Sequence, residues 1–107
     1  MGIEKRKQER IDKVLVVRYR HHDETHEFFT NDLSATGMYI MTSATYEPGT
    51  VLDIEVVDGD RRVPIRGVVR WSKKASATAS KAIEGGMGIE VVEGKTPDYL
   101  SLLAPEP

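Results

Sequence analysis

The chain has 107 residues, of which 39% are hydrophobic and 30% charged, so it has room for one folded domain with a modest core. No apolar run is long enough to cross a bilayer and the N-terminus is charged, which predicts a cytoplasmic protein without membrane insertion. The net charge of −2 argues against a binder of nucleic acid polymers, and the absence of cysteine excludes disulfides, thiolate metal sites and thiol nucleophiles.

Residues 1–12 are predicted to form a flexible, polar arm, and residues 13–107 to form the folded domain. The arm is too short and too charged to hold a helix by itself in water. Its first ten residues carry a local charge excess of +2, from Lys5, Arg6, Lys7 and Arg10 against Glu4 and Glu9. This excess suits a small anionic ligand better than a polymer.

Apolar and polar residues alternate in most of the segments that follow, which is the pattern of half-buried β-strands. The predicted strands cover residues 13–20, 27–30, 38–42, 51–57, 62–72 and 88–92. The side chains predicted to share one face within each strand are Leu15, Val17 and Tyr19, then Met38, Ile40 and Thr42, and then Leu52, Ile54 and Val56.

Turn residues separate these strands. Pro48-Gly49 predicts a tight turn, and Asp58-Gly59 between two alternating runs is a strong hairpin signal. Pro64 has no N–H to donate, which predicts that its part of the strand lies at an edge or a bulge. Residues 75–86 are small and polar without useful periodicity, which predicts a loop.

The C-terminal part of the chain predicts one short helix. Thr96 is a suitable N-cap, and Pro97 is favoured at the first helical position. The residues expected to pack this helix against the rest of the fold are Tyr99, Leu100, Leu102 and Leu103. Six short strands at regular spacing with little helix predict an all-β fold, a six-stranded antiparallel barrel with a short C-terminal helix.

Two polar motifs are candidates for function. Arg6 and Arg10 stand four residues apart, and guanidinium groups bind phosphate oxygens and guanine edges in a two-pronged fashion. Asp32 and Ser34 are followed by Gly37, so a carboxylate and a hydroxyl can offer acceptors from a turn. Alone, the first motif is more typical of a solvated basic tail than of a site, and the second is more typical of an ordinary Asx turn.

Together and in this order, the two motifs resemble the PilZ domain, a bacterial receptor module for cyclic di-GMP. The resemblance covers nearly the whole chain and includes Gly37-Met38-Tyr39-Ile40, Pro48-Gly49, Gly67-Val68-Val69-Arg70 and Gly88-Ile89-Glu90. It implies a six-stranded antiparallel barrel with a terminal helix, in which Arg6 and Arg10 bind the ligand's phosphates and the guanine Hoogsteen edge. Val91 departs from the family, which often has phenylalanine there, and this difference concerns core packing rather than the ligand site.

Within this resemblance, each residue of the second motif has an expected role. Asp32 can accept hydrogen bonds from guanine N–H groups and so favour guanine over adenine. Ser34 can bind the ligand or cap the turn, since both roles use the same hydroxyl. Gly37 can supply a positive backbone dihedral or allow close approach of another chain segment.

Further residues could extend the site. In PilZ domains a basic residue just before the arginine motif, here Lys5, tends to accompany binding of an intercalated cyclic di-GMP dimer. Trp71 could stack on a guanine or plug one end of the barrel, and both interpretations stay open. Arg70 precedes it, and Arg66 shares a strand face with Arg70 by the period-two rule, so either could add a cation.

The expected function is a cyclic di-GMP receptor that orders its arm around the ligand and passes the signal to a protein partner. No cofactor other than this ligand and no catalytic activity are expected. Solvated hairpin histidines are commoner than metal sites, so His21, His22 and His26 do not predict a metal centre. The alternatives are a PilZ-like protein interaction module, a barrel for single-stranded nucleic acid, which the 7% aromatic content disfavours, and an enzyme subunit.

Overall fold

Alternating side chains build a sheet that closes on itself, so that one face of each strand points into a shared interior. The structure, a computed structural model, describes residues 14–74 and 85–103. The predicted arm with Lys5, Arg6 and Arg10 lies outside the described residues, as does most of the predicted loop at residues 75–86.

The described residues form six strands and one short helix. In chain order these are β1 (Leu15–His21), β2 (Glu24–Leu33), β3 (Gly37–Met41), β4 (Val51–Asp58), β5 (Arg61–Lys73), β6 (Gly86–Glu93) and α1 (Pro97–Ser101). Neighbours around the barrel follow the order β1-β2-β3-β6-β5-β4, and β4 pairs with β1 to close it. Every described pairing is antiparallel, which confirms the predicted barrel with its short C-terminal helix.

Alternation predicted which side chains of a strand share a face, and the structure shows which of these faces fill the interior. The buried residues of β1, β3 and β4 are Leu15, Val17, Tyr19, Met38, Ile40, Leu52, Ile54 and Val56, and Thr42, which directly follows β3, is buried as well. The second half of the barrel adds Val63, Ile65, Val69, Met87, Ile89 and Val91. Burying a Val, Leu or Ile side chain contributes about 1.5–3 kcal/mol, so this interior accounts for much of the folding free energy.

Pro64 occupies a position of β5 that has a strand partner on one side only. It lies opposite Glu55 of β4, while the register with β6 extends only as far as Arg66 opposite Glu93. A residue without an N–H is tolerated where no second ladder is present. The predicted edge position of Pro64 is therefore confirmed.

Several predicted boundaries are wrong. β6 begins at Gly86 rather than Gly88, because Gly86 and Met87 continue the ladder opposite β3. Two glycines in three residues provide no alternation from which this part of the strand could be predicted. β2 begins at Glu24, and the turn before it needs only His22, with φ of 55°, and Asp23.

The short helix packs on the barrel through three of the four residues predicted for this contact. Thr96 Oγ1 accepts a hydrogen bond from Tyr99 N at 3.2 Å, which confirms the predicted cap. Tyr99 and Leu102 are buried and Leu103 packs on the core, as predicted. Leu100 was also predicted to pack, but its side chain is 46% exposed. Positions three and four apart share a helix face, which unites Tyr99 with Leu102 and Leu103. Within the described residues no helix is long and apolar enough to cross a membrane.

Candidate functional site

Two shifts of strand register lie beside the residues that the sequence singles out. In β2 the register shifts between Thr30 and Asp32, and in β5 it shifts between Val69 and Trp71. A bulge adds a residue to one strand and changes the face on which the next side chains lie. Arg70 and Trp71 are therefore both exposed on the outer face of β5, although they are neighbours in the chain.

Beyond the bulges, cross-strand register places Asp32, Tyr39 and Trp71 in one row on the outside of the barrel. Asp32 lies opposite Tyr39, and Gly88 of β6 lies between Tyr39 and Trp71. The two rings stack with centroids 5.4 Å apart and planes inclined by 20°. Trp71 stays 49% exposed, so it is not a buried plug of the barrel end, and it forms with Tyr39 an aromatic platform open to solvent.

Glycines of β6 provide the surface on which the aromatic platform lies. A Cβ added to Gly88 would overlap the indole nitrogen of Trp71, and a Cβ added to Gly86 would overlap the hydroxyl of Tyr39. Any larger residue at these positions would displace a ring. In the run Gly86-Met87-Gly88, the Met87 side chain is therefore buried in the interior. The two glycines, which have no side chain, leave room for the rings of Tyr39 and Trp71 on the outer face.

The turn between β2 and β3 forms the wall next to Asp32. Ser34 N donates to the Gly37 carbonyl at 2.9 Å, and Ser34 Oγ accepts from Thr36 N at 3.3 Å. Ser34 is only 8% exposed. Of the two roles considered for this hydroxyl, its contacts in the structure are those of a turn cap.

Gly37 serves close approach rather than an unusual dihedral. Positive φ angles occur at Gly49 and Gly59, in the two predicted tight turns, but Gly37 does not adopt one. A Cβ at Gly37 would overlap the carbonyl oxygen of Ile89 in β6. The glycine therefore allows β3 to pair closely with β6 beside the turn.

Tyr99, a buried residue of α1, is hydrogen-bonded to the turn between β2 and β3. The Tyr99 hydroxyl donates to the Ser34 carbonyl oxygen at 2.7 Å, and Val91 N donates to the Thr36 carbonyl at 2.9 Å. Burial raises the pKa of Tyr99, so this hydroxyl keeps its proton for the bond at neutral pH. The turn is thus attached to both α1 and β6.

The turn, the β5 bulge and the aromatic platform enclose an open cavity of about 410 Å³, here called the ligand cavity. This volume is in the range common for small-molecule sites. Inside it, Arg70 Nε donates to Glu90 Oε1 at 2.6 Å. With Asp32 as a second carboxylate, the described wall carries one net negative charge.

The ligand cavity unites most of the residues that the sequence predicted for a site. Those with described positions are Asp32, Ser34, Gly37, Arg70 and Trp71, and all five line it. The predicted Lys5, Arg6 and Arg10 lie outside the described residues. Arg66 faces outward like Arg70 but lies elsewhere, with its Nε 3.1 Å from Asp53 Oδ1.

Sequence reasoning did not assign Tyr39, Gly88, Glu90 and Tyr99 to the site. Tyr39 and Gly88 stand inside quoted family runs, and an aromatic residue alternating with core residues was the available signal for Tyr39. Glu90 and Tyr99 meet their partners from 20 and 65 positions away in the chain. Local periodicity contains no signal for such contacts.

A second, larger concavity lies over β1, β4 and β5. It measures about 800 Å³ and is here called the charged groove; its outward charged residues are Arg18, Arg20, Asp53, Glu55, Arg62, Arg66 and Glu93. Glu55 lies 3.8 Å from Arg18 and 3.6 Å from Arg62, and Asp53 is placed in the same way between Arg20 and Arg66. Cations and anions therefore neutralise each other along this face.

The three histidines lie around the β1–β2 hairpin, with aromatic neighbours. His26 Nε2 is 3.1 Å from the Tyr46 hydroxyl, which donates to Glu24 Oε1 at 2.6 Å. This bond is the main reason why the pKa of Glu24 is lowered, while burial and Glu24 raise the pKa of Tyr46 to about 12. In the described part of the chain, no group of three or more His, Cys, Asp or Glu side chains is arranged to hold a metal ion.

Comparisons with known proteins agree on one family. The sequence model of the PilZ domain matches residues 4–103. The structure of Bacillus subtilis Inhibitor of motility (MotI/DgrA) has a TM-score of 0.73 and 22% identity over 94% of this chain and 49% of that chain. The PilZ domain with c-di-GMP of YcgR from Escherichia coli has a TM-score of 0.69 and 16% identity over 94% of this chain and 86% of that chain.

These structural likenesses concern the fold, and this chain spans about half the length of the MotI chain. No curated protein matches it significantly. The family match, however, extends over nearly all of the sequence, including the two motifs and every described strand. The chain therefore belongs to the PilZ domain family, a family of ligand-binding modules that includes receptors for cyclic di-GMP.

Proposed function

We propose that this protein is a cyclic di-GMP receptor and that the ligand binds in the ligand cavity. The observation that carries the proposal is the meeting of three features in one place: the Asp32 turn, Arg70 and the aromatic platform. A guanine can stack on an exposed aromatic ring, while a carboxylate accepts from its N–H groups and a guanidinium binds its acceptor edge or a phosphate.

The charge of the cavity supports a role for the arm. Cyclic di-GMP carries two phosphates, whereas the described wall is net negative by one charge, from Asp32 and Glu90 against Arg70. Cations from outside the described residues are needed for such a ligand. Lys5, Arg6 and Arg10 would add three positive charges. The net charge around the ligand would then change from −1 to +2, which matches the two negative charges of the phosphates.

We propose that the arm becomes ordered when the ligand binds, because the ligand joins two parts of the chain that are far apart in sequence. The turn that follows Asp32 is hydrogen-bonded to α1 through Tyr99 and to β6 through Val91. A ligand that shifts this turn would therefore affect the helix as well. Either change would alter the surface offered to a protein partner.

Titration of the full chain with cyclic di-GMP tests the proposal. Calorimetry gives affinity and stoichiometry, and Trp71, the only tryptophan in the sequence, reports ligand near the platform by its fluorescence. Wild type should bind with a change in Trp71 emission, and Arg10→Ala should bind about ten- to a hundredfold more weakly. Equal heats from the two proteins would contradict the proposed role of the arm.

A second candidate function is a PilZ-like module that binds a protein and no nucleotide. It is favoured by the polar groups of the cavity already having partners inside the chain, namely Arg70 with Glu90 and Ser34 with its own turn. A binding panel of cyclic di-GMP, cyclic di-AMP, GTP and an oligonucleotide separates the candidates. Saturable binding of cyclic di-GMP alone supports the receptor, and no binding of any of them supports the protein module.

A further inference from the structure

The ion pair between Arg70 and Glu90 lies within the ligand cavity. Arg70 Nε and Glu90 Oε1 are 2.6 Å apart, and the accessible fractions of the two side chains are 55% and 48%. Glu90 lies opposite Gly37 of β3 and Val68 of β5. Glu90 therefore lies between the turn that follows Asp32 and the bulge that contains Arg70.

A carboxylate at this position opposes an anionic ligand in two ways. Its charge repels phosphate oxygens that enter the cavity. It also occupies the Nε–H of Arg70, which belongs to one of the edges by which a guanidinium makes a two-pronged bond. A phosphate or a guanine that approaches Arg70 by this edge must replace Glu90.

Such an exchange is feasible because the pair is exposed. Water screens an exposed ion pair, so its contribution to the free energy is small, whereas two-pronged bonds between arginine and phosphate are among the strong hydrogen bonds of proteins. The ligand can therefore displace Glu90 from Arg70. The displacement and the remaining negative charge nevertheless weaken binding.

We propose that Glu90 is a positioning residue that sets the affinity of the ligand cavity, by holding Arg70 in the free protein until cyclic di-GMP takes its place. This inference rests on the proposed function. It predicts that Glu90, although it lines the cavity, weakens ligand binding, so that replacing Glu90 with a neutral residue increases the affinity. Glu90 and Arg70 would together act as an exchangeable ion pair, with the ligand as the competing anion.

The same two strands provide a matched control. Glu93 of β6 forms an ion pair with Arg66 of β5 at 3.6 Å, and this pair lies outside the ligand cavity. Glu93→Gln removes the same charge from the same strand as Glu90→Gln. Of the two substitutions, only Glu90→Gln removes the partner of an arginine in the ligand cavity.

The experiment is calorimetric titration of cyclic di-GMP into the full chain. Compared with wild type, Glu90→Gln should lower Kd about three- to tenfold, and Glu93→Gln should leave it within about twofold. In an Arg70→Ala background the gain from Glu90→Gln should shrink to about twofold, since only the repulsion is left to remove. Higher salt should also reduce the gain, which a purely structural role of Glu90 would not cause.

The outcomes separate this inference from the function on which it rests. If wild type binds but Glu90→Gln binds no more tightly, or if Glu93→Gln gains equally, the inference is overturned and the receptor function stands. If wild type does not bind, both fail together. Thermal unfolding checks that each variant is folded, and Glu90→Ala repeats the test should Glu90→Gln be unfolded.

Discussion

The ligand cavity and the charged groove lie on one barrel, and the predicted site residues line the smaller of the two. The groove measures about 800 Å³ and offers four arginines, whereas the cavity measures about 410 Å³ and offers Arg70 alone among its described residues. Volume and the number of arginines alone would favour the charged groove as the binding site for an anionic ligand. The motif residues lie around the cavity.

The difference between them is one of regularity. Along the groove, β1, β4 and β5 pair without a register shift, and the row of outward side chains alternates cations with anions. At the cavity the register of β2 and of β5 is shifted, and Trp71 is left exposed where it stacks on the half-buried Tyr39. In a regular pairing of strands with alternating charges, each charged side chain has a partner of opposite charge. A bulge changes the direction of the side chains beside it and interrupts the hydrogen-bond ladder between the strands. This comparison motivates the following predictions.

The largest expected effect is on the strand pairing behind the cavity. Gly37→Ala places a Cβ against the Ile89 carbonyl oxygen, and backbone on both sides prevents easy relief. We expect a loss of about 2–4 kcal/mol in the free energy of unfolding, measured with urea. Gly59→Ala is the control, since it meets no atom but must hold a φ of 65°, and should cost only about 1 kcal/mol.

The two faces can be compared directly by removing one arginine from each. Arg70→Ala should raise the Kd for cyclic di-GMP about tenfold or more, because a charge-assisted hydrogen bond contributes about 1.5–3 kcal/mol. Arg66→Ala, in the charged groove, should leave the Kd unchanged. Equal losses in the two variants would mean that the groove binds the ligand, which would reverse the comparison.

Aromatic exposure can be tested in the same way. Trp71→Ala removes a stacking surface from the cavity and should weaken binding by about 1–3 kcal/mol, measured by calorimetry. Phe29 on β2 is 44% exposed, close to the 49% of Trp71, but does not line the cavity. Phe29→Ala should therefore bind the ligand like wild type. An equal loss from Phe29→Ala would indicate an effect on the whole barrel instead of the platform.

A smaller effect with a distinct pH dependence is expected at Tyr99. Tyr99→Phe removes the bond to the buried Ser34 carbonyl and should cost about 1–2 kcal/mol at neutral pH. The pKa of Tyr99 in the folded protein is raised above its ordinary value of 10.0 by burial. The folded state thus binds this proton more tightly than the unfolded chain, so its stabilisation is complete below about pH 10 and declines above it.

The stability gap between wild type and Tyr99→Phe should consequently narrow as the pH rises above 10.0, the ordinary value for this hydroxyl. Urea unfolding at a series of alkaline pH values measures it. Tyr19 and Tyr46 also have raised pKa values, mainly through burial, and remain in both proteins. Their contributions therefore cancel in the difference. A gap that stays constant with pH would show that Tyr99 ionises equally easily in both states.

Much of the fold was predictable because its strands alternate. Alternation predicted which side chains share a face with Leu15, Met38 and Leu52, and the structure shows that these faces are the buried ones. The start of β6 was missed because Gly86 gives no hydrophobic signal, and Leu100 of α1, which was predicted to pack on the barrel, is exposed. Both errors occur where contacts with other strands, rather than the local pattern, decide the structure.

The candidate site was predictable only in part. Asp32, Ser34 and Gly37 lie within six residues, so their common turn was evident from spacing. The choice between two roles for Ser34 and for Gly37 was not, because it depends on how β2, β3 and β6 approach one another. The prediction that Lys5, Arg6 and Arg10 contact the ligand stays a prediction.

By itself, the sequence determined the barrel's strands, its tight turns and the family of the domain, since these depend on the residue types of near neighbours in the chain. Only the tertiary structure decided that Trp71 stacks on Tyr39, that Glu90 holds Arg70 and that Tyr99 anchors the turn. These contacts depend on the register between strands that are distant in sequence. Register is set by the closed hydrogen-bond ladder and its bulges, which no single segment of the chain encodes.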